Sequence, residues 1–177
     1  MDERWIALRG PREKFLVGEK KGLAIKPFAV TVQEKKPISA LFYRQQHIAF
    51  VAEVEMDYTP GSEKDFAGIT CLQSEKFNYV LGVTKSNNEY YIQLERTENG
   101  ITKVLAQQKL SRSGKMKLRV SATGDDYTFS YALDGSSFQH LGGTVSGDIL
   151  STDVAGGFTG AMIGLYATSA YETPVEK

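Results

Sequence analysis

The stretch HIAFVAEVEMDY, residues 47–58, decides the fold class. Phe50, Ala52, Val54, Met56 and Tyr58 alternate with Val51, Glu53, Glu55 and Asp57. A period of two sends alternate side chains to opposite faces of a strand. The apolar set is therefore expected to be buried and the carboxylates to lie in water. Lys115–Ala122 repeats the pattern, with Met116, Leu118, Val120 and Ala122 inward and Lys117, Arg119 and Ser121 outward. The turn Thr123-Gly124-Asp125-Asp126 follows, and then Tyr127, Phe129, Tyr131 and Leu133 alternate with Thr128, Ser130 and Ala132. Two alternating runs about a short Gly/Asp turn specify a β-hairpin.

Working outward, Phe66–Leu72 and Phe77–Thr84 are short apolar runs separated by Gln73-Ser74-Glu75-Lys76. Glu89–Thr97 and Ile101–Leu110 are joined through Glu98-Asn99-Gly100, and Asn-Gly is a strong hairpin signal. Trp5–Leu8, Leu23–Lys26, Phe28–Val32, Phe138–Leu141 and Phe158–Ala167 are further candidate strands. No long segment carries a helical repeat, and a helical turn is expected only near Leu150–Val154. Strands spaced by about ten residues with turn signals between them imply an all-β sandwich or barrel. Residues 1–4 and 171–177 are expected to fray.

The 177 residues suit one domain, read as 1–177. Hydrophobic residues make up 41% and charged residues 24%, the balance of a globular chain. Lys+Arg and Asp+Glu are both 21, so the net charge is zero. That removes the electrostatic case for nucleic acid or for an anionic membrane surface. No apolar run is long enough for a transmembrane helix, and MDERWIALRG lacks the apolar core of a signal peptide. A single cysteine, Cys71, forbids an intrachain disulfide and a cysteine-based zinc site.

The search for chemistry eliminates more than it finds. His47 and His140 have no ligand-type neighbours at metal-site spacing, so no metal or other cofactor is assigned. Calcium held by scattered oxygens needs no local motif and stays open. No Gly-x-Ser-x-Gly elbow is present, and Cys71 inside an apolar run reads as a buried, inert thiol. Gly142-Gly143 and Gly156-Gly157 do not sit between a strand and a helix as a phosphate cradle would. Glu53, Glu55 and Asp57 share one solvated face and lack the asymmetric cleft that glycoside chemistry requires. Two stretches stand out. Phe42-Tyr43-Arg44-Gln45-Gln46-His47 packs polar groups directly before the best strand, and residues 150–160, LSTDVAGGFTG, set one large aromatic, Phe158, among small residues.

The stretches YRQQHIAFVAEVEMDYTP, DFAGITCLQSEKFNYVLGVT, DDYTFSYALDGSSFQHLG and above all LSTDVAGGFTGAMIGLYAT resemble the C-terminal β-sandwich of glycoside hydrolase family 43 β-xylosidases and α-L-arabinofuranosidases. The resemblance runs from about Trp5 to Ala167. It implies a concanavalin A-like jelly roll of two antiparallel sheets that packs on a catalytic β-propeller absent from this chain. It further implies xylan or arabinoxylan oligosaccharides as the parent enzyme's substrates and no catalysis by this domain alone. The implied contribution to the substrate pocket falls on Phe158 with Thr159, and the implied inter-domain surface on Arg44, Gln45, Gln46 and His47. The compartment would be that of the parent enzyme, either the bacterial cytoplasm or the periplasm or secreted space. Family members continue after Gly-Leu-Tyr-Ala to a last strand of the type Ala-Asp-Phe-Asp-Trp-Phe, whereas this chain reads Ala167-Thr168-Ser169-Ala170-Tyr171-Glu172. A sheet edge open to association is expected in consequence. The alternative reading is an autonomous carbohydrate-binding module with Tyr43, Tyr90 and Tyr91 as its glycan platform. A structural or oligomerising domain is the third.

Overall fold

The computed structural model describes residues 4–19, 21–157 and 160–174. In chain order the strands are β1 (Ile6–Ala7), β2 (Leu16–Glu19), β3 (Gly22–Ile25), β4 (Ser39–Arg44), β5 (Ala49–Tyr58), β6 (Phe66–Ser74) and β7 (Phe77–Ser86). Then come β8 (Glu89–Glu98), β9 (Ile101–Leu110), β10 (Gly114–Thr123), β11 (Asp126–Leu133), β12 (Gln139–His140), β13 (Val145–Ser146) and β14 (Met162–Thr168). A 3₁₀ turn at Asp148–Leu150 leads into a single helical turn, α1 (Thr152–Ala155).

The strands form two stacked antiparallel sheets and a small hairpin. The larger sheet runs β1-β4-β14-β6-β7-β8-β9, and the smaller runs β12-β11-β10-β5 with β13 also on β11. Among the described residues β2 and β3 pair only with each other. Local turn chemistry sets the registers. Asn99 and Gly100 both take positive φ, and so do Asn87 and Asn88, which produces tight turns between β8 and β9 and between β7 and β8. The β10–β11 hairpin turns on Gly124 and Asp125, with Thr123 facing Asp126.

Alternation builds the inner core. Ile69, Cys71, Tyr79, Leu81, Ile92 and Leu94 of the larger sheet meet Met116, Leu118, Val120, Phe129 and Tyr131 of the smaller one. The Tyr79 and Phe129 rings lie 5.7 Å apart across the gap. The larger sheet also buries its outer face. There Phe42, Phe66, Leu72, Val80, Met162 and Tyr166 pack under Val32, Ile38 and Tyr171. With both faces covered, β6 and β7 read as nearly unbroken apolar runs.

Three expectations change. Phe28–Val32 is not a strand. It is a strap over the outer face, bridged to β14 only between Phe28 and Thr168 and held where Val32 N donates to the Tyr166 hydroxyl at 3.0 Å. Phe42–Arg44, read as the start of a polar cluster, are the end of an interior strand of the larger sheet, Ser39–Arg44, which is buried from Ser39 to Phe42. Tyr171, expected to fray, is buried, stacks on Phe66 at 4.9 Å and donates its hydroxyl to Glu95 at 2.6 Å. A large ring in a polar tail gains more by covering Phe66 than by staying in water.

Candidate functional site

The two unusual stretches of sequence meet at one end of the sandwich. β4 and β14 pair with Arg44 opposite Met162. One residue further, Gln45 N donates to Ala161 O at 3.0 Å, so residues 44–47 lie against the end of the loop that carries Phe158. Phe158 and Thr159 themselves fall outside the described residues, which leaves their flanks to define the loop.

Those flanks are firmly held. Ser151 caps α1, accepting from Val154 N and donating to Asp148 O. Ile149 and Leu150 anchor the preceding turn in the inner core. On the near side of Phe158, the Gln73 side-chain amide donates to Gly156 O at 2.6 Å. Gly156, Gly157 and Gly160 all take positive φ, at 71°, 84° and 67°. Glycine adopts this region without the Cβ penalty that other residues incur. Three such glycines thus flank residues 158 and 159, and hydrogen bonds at Gly156 and Ala161 hold the two flanks.

Residues 44–47 divide by role. Arg44, Gln46 and His47 are exposed. Gln45 is turned inward and acts as a brace. Its carbonyl accepts from the Tyr127 hydroxyl at 2.8 Å, and its amide donates to His47 O at 3.0 Å. Burial, with smaller effects of Cys71 and Asp125, pushes Tyr127 up to about 12, so it remains a hydrogen-bond donor at any ordinary pH. Trp5 was not singled out by sequence. It stands edge-on to Tyr43 at 5.7 Å, and Arg4 lies over the same Tyr43 ring at 5.5 Å. This pair lines a cavity of about 340 Å³ together with Arg44, His47 and Phe50.

The tyrosine platform is not one surface. Tyr90 packs against the inner core, whereas Tyr91, its neighbour in β8, points to the opposite face and donates to Glu89. Tyr43 is on β4, separated from β8 by β14, β6 and β7. Glu53 and Glu55 face Arg119 and Lys117 across the β5–β10 ladder, with Arg119 Nε donating to Glu53 at 2.8 Å. His140 shares a hydrogen bond with Ser130. Cys71 is buried, and burial raises its thiol to about 12, so no thiolate is available at neutral pH. Among the described residues, no three His, Cys, Asp or Glu side chains are grouped to hold a metal ion.

The comparisons fit this architecture. Residues 1–176 match the beta xylosidase C-terminal concanavalin A-like domain family. The non-reducing end alpha-L-arabinofuranosidase BoGH43B of Bacteroides ovatus is 28% identical over 166 residues, which is 93% of this chain and 31% of that protein. Xylosidase/arabinosidase 43B of Humicola insolens is 26% identical over 145 residues, 75% of this chain and 27% of that protein. Among solved structures, a GH43_12 protein retrieved from capybara gut metagenome superposes with a TM-score of 0.86 at 35% identity, over 94% of this chain and 32% of that one. The chain thus spans about a third or less of the length of these relatives. By the match along nearly its whole length, the chain belongs to the concanavalin A-like domains that form the accessory C-terminal part of glycoside hydrolase family 43 β-xylosidases and arabinofuranosidases.

Proposed function

We propose that this domain packs against a catalytic β-propeller in a glycosidase acting on xylo- or arabino-oligosaccharides, and that its 156–160 loop lends Phe158, with Thr159 beside it, to the rim of the propeller's pocket. The catalytic acid and base belong to the propeller, and this chain catalyses nothing alone. An aromatic wall excludes water from the reacting sugar and limits the pocket's length, which favours short oligosaccharides and cleavage at chain ends. Arg44, Gln46 and His47 supply the polar contacts to the propeller around that wall, and Gln45 holds them in place.

The observation that carries this reading is the anchoring of the loop. The Gln73 amide on Gly156 and the Gln45 N–H on Ala161 fix both ends of a glycine-rich turn beside the exposed residues 44–47.

The test is Phe158→Ala in the enzyme that joins this domain to its propeller. The expected result is a loss in kcat/KM on xylobiose and on an aryl xyloside of about tenfold, the size of a lost apolar wall, with the sandwich still folded by circular dichroism. Unchanged kinetics on both substrates would remove the role assigned to Phe158.

A further inference from the structure

The outer face of the larger sheet changes character across its width. On β4, β14 and β6 it is apolar, with Phe42, Met162, Phe66 and Leu72. On β8 the side chains of this face are Gln93, Glu95 and Thr97, and all three are buried. Buried polar groups are costly unless they are hydrogen-bonded. Gln93 accepts from Gln107, Thr97 shares a hydrogen bond with Thr102 of β9 at 2.8 Å, and the Gln33 amide donates to Thr97 at 3.3 Å. Glu95 is served on one oxygen only. Both donors that reach it, the Tyr171 hydroxyl and the Gln93 amide, use Oε1. Among the described residues no hydrogen bond reaches Oε2. It is not sealed in either, since Asn78 Oδ1 is the one enclosed side-chain atom without a partner.

Glu95 lines a cavity of about 610 Å³ over this part of the sheet. Small-molecule sites typically measure about 300–1,000 Å³. One wall is the strap, continued through Gln33 and Glu34, and the other is the segment 170–174. Both walls are fixed. Val32 N donates to the Tyr166 hydroxyl, and Tyr171 stacks on Phe66 while its N–H donates to Lys64 O at 2.8 Å. None of the lining residues belongs to 44–47 or to the 156–160 loop.

We propose that this cavity is a second, non-catalytic sugar site, which takes a neutral pentosyl unit of a xylo- or arabino-oligosaccharide, hydrogen-bonded by Glu95 Oε2, Gln33 and Thr102. The sugar class rests on the function proposed above, and the site itself does not involve Phe158.

Charge and chemistry select this ligand. Among the described residues no Lys, Arg or His lines the cavity, so an anion finds no counter-charge there. A cation finds its carboxylates already engaged. Glu34 pairs with Lys36 at 2.6 Å and Glu172 with Lys64 at 3.1 Å, and burial favours the neutral form of Glu95. An extended peptide needs an open strand edge, and β8 is paired on both sides. The remaining class is neutral and rich in hydroxyls. A carboxyl, a carboxamide and a hydroxyl each donate and accept, as sugar hydroxyls do. Val80 and Tyr166, between these groups, give the lining an apolar part for the C–H face of a sugar ring.

The test titrates the isotope-labelled 177-residue chain with xylotriose and with arabinotriose and follows its amide signals by NMR. The expected result is saturable binding of at least one of them with a Kd of about 1 mM or tighter, with shifts at Gln33, Glu95 and Thr102. Gln33→Ala and Thr102→Val should each weaken it at least about fivefold, the size of one lost hydrogen bond. Gln33 lies on the surface strap, so its variant decides the matter even where the β9 variant fails to fold. Galacturonate and putrescine, an anion and a dication, should bind at least about tenfold more weakly than the sugar. No saturation by about 20 mM sugar would overturn the proposal. So would shifts confined to residues 44–47 or to Tyr91, or a preference for putrescine. Each of these readings is made on the isolated domain at the outer face, so it stands apart from the kinetic test at Phe158. Either proposal can fail while the other holds.

Discussion

β4 and β5 follow one another in the chain with only residues 45–48 between them, yet they occupy opposite situations. β4 lies inside the larger sheet between β1 and β14 and is buried on both faces from Ser39 to Phe42. β5 lies at the edge of the smaller sheet, and its inward residues Phe50, Val54 and Met56 are only half covered. The sequence signals are inverted with respect to burial. β5 alternates cleanly because one of its faces is wet, and β4 does not alternate because neither is. Clear alternation therefore marks a strand with a solvent face, and the strand that contributes more to stability can be the one that reads less clearly.

The largest expected effect tests that difference directly. Phe42 is fully buried in the outer core, so Phe42→Ala should cost about 3–5 kcal/mol, through lost transfer energy and the cavity left behind. Phe50 packs on Tyr127 at 5.9 Å but faces the cavity beside Trp5 and Tyr43, and the same change there should cost less than about half as much, because much of its surface is already in water. Urea unfolding of both variants gives the comparison. Equal losses would mean that the β5 edge is as well covered as β4.

The same contrast governs what could be read from sequence. The β5, β10 and β11 strands and the Asn99-Gly100 turn are local signals and appear where expected, within a few residues. β4 was hidden because Ile38–Phe42 has no period and the polar Arg44-Gln45-Gln46 run follows it. Phe28–Val32 has strand-like composition, but beyond the single bridge at Phe28 its N–H groups go to side chains, those of Phe28 and Val32 to Ser39 and Tyr166, rather than to a ladder. Tyr171 looked like tail because its partners, Phe66 and Glu95, are remote in the chain. At the candidate site each stretch was visible but their adjacency was not, since the β4–β14 register creates it. Gln73 read as a turn residue and Trp5 as the start of a candidate strand. Neither has a local feature that announces its contact with Gly156 or with Tyr43.

A second prediction probes how well the outer face is sealed. Glu95 projects from β8 into that face, nearly buried, and its Oε1 accepts from Tyr171 and from the Gln93 amide. Burial raises its pKa, and those two hydrogen bonds only partly offset the effect. The folded protein therefore keeps this proton at pH values where the unfolded chain has released it. Stability must fall as pH rises from the ordinary carboxylate range through the raised value, and it has no such slope below that range. Glu95→Gln keeps an acceptor for both donors and removes the titration. The variant should gain on the natural protein as pH rises from about 4 to about 8, measured by urea midpoints across that range. Parallel curves would mean that Glu95 is hydrated, and that the outer face is as open as the β5 edge.

The smallest expected effect lies on the outward side of β5. Arg119 donates to Glu53 at 2.8 Å and covers the Phe138 ring at 3.7 Å, and the Glu53 and Arg119 side chains remain 40% and 34% exposed. Exposed ion pairs contribute about 0–1 kcal/mol, because ordering two long side chains offsets most of the attraction in water. Glu53→Gln should therefore cost less than about 1 kcal/mol at low salt. Salt decides what kind of face this is. At about 1 M the screening length falls to about 3 Å, so the cost should shrink toward zero if the pair stands in solvent. A cost that stays the same in high salt means that another surface covers β5 and keeps ions away. The isolated chain should show the first behaviour.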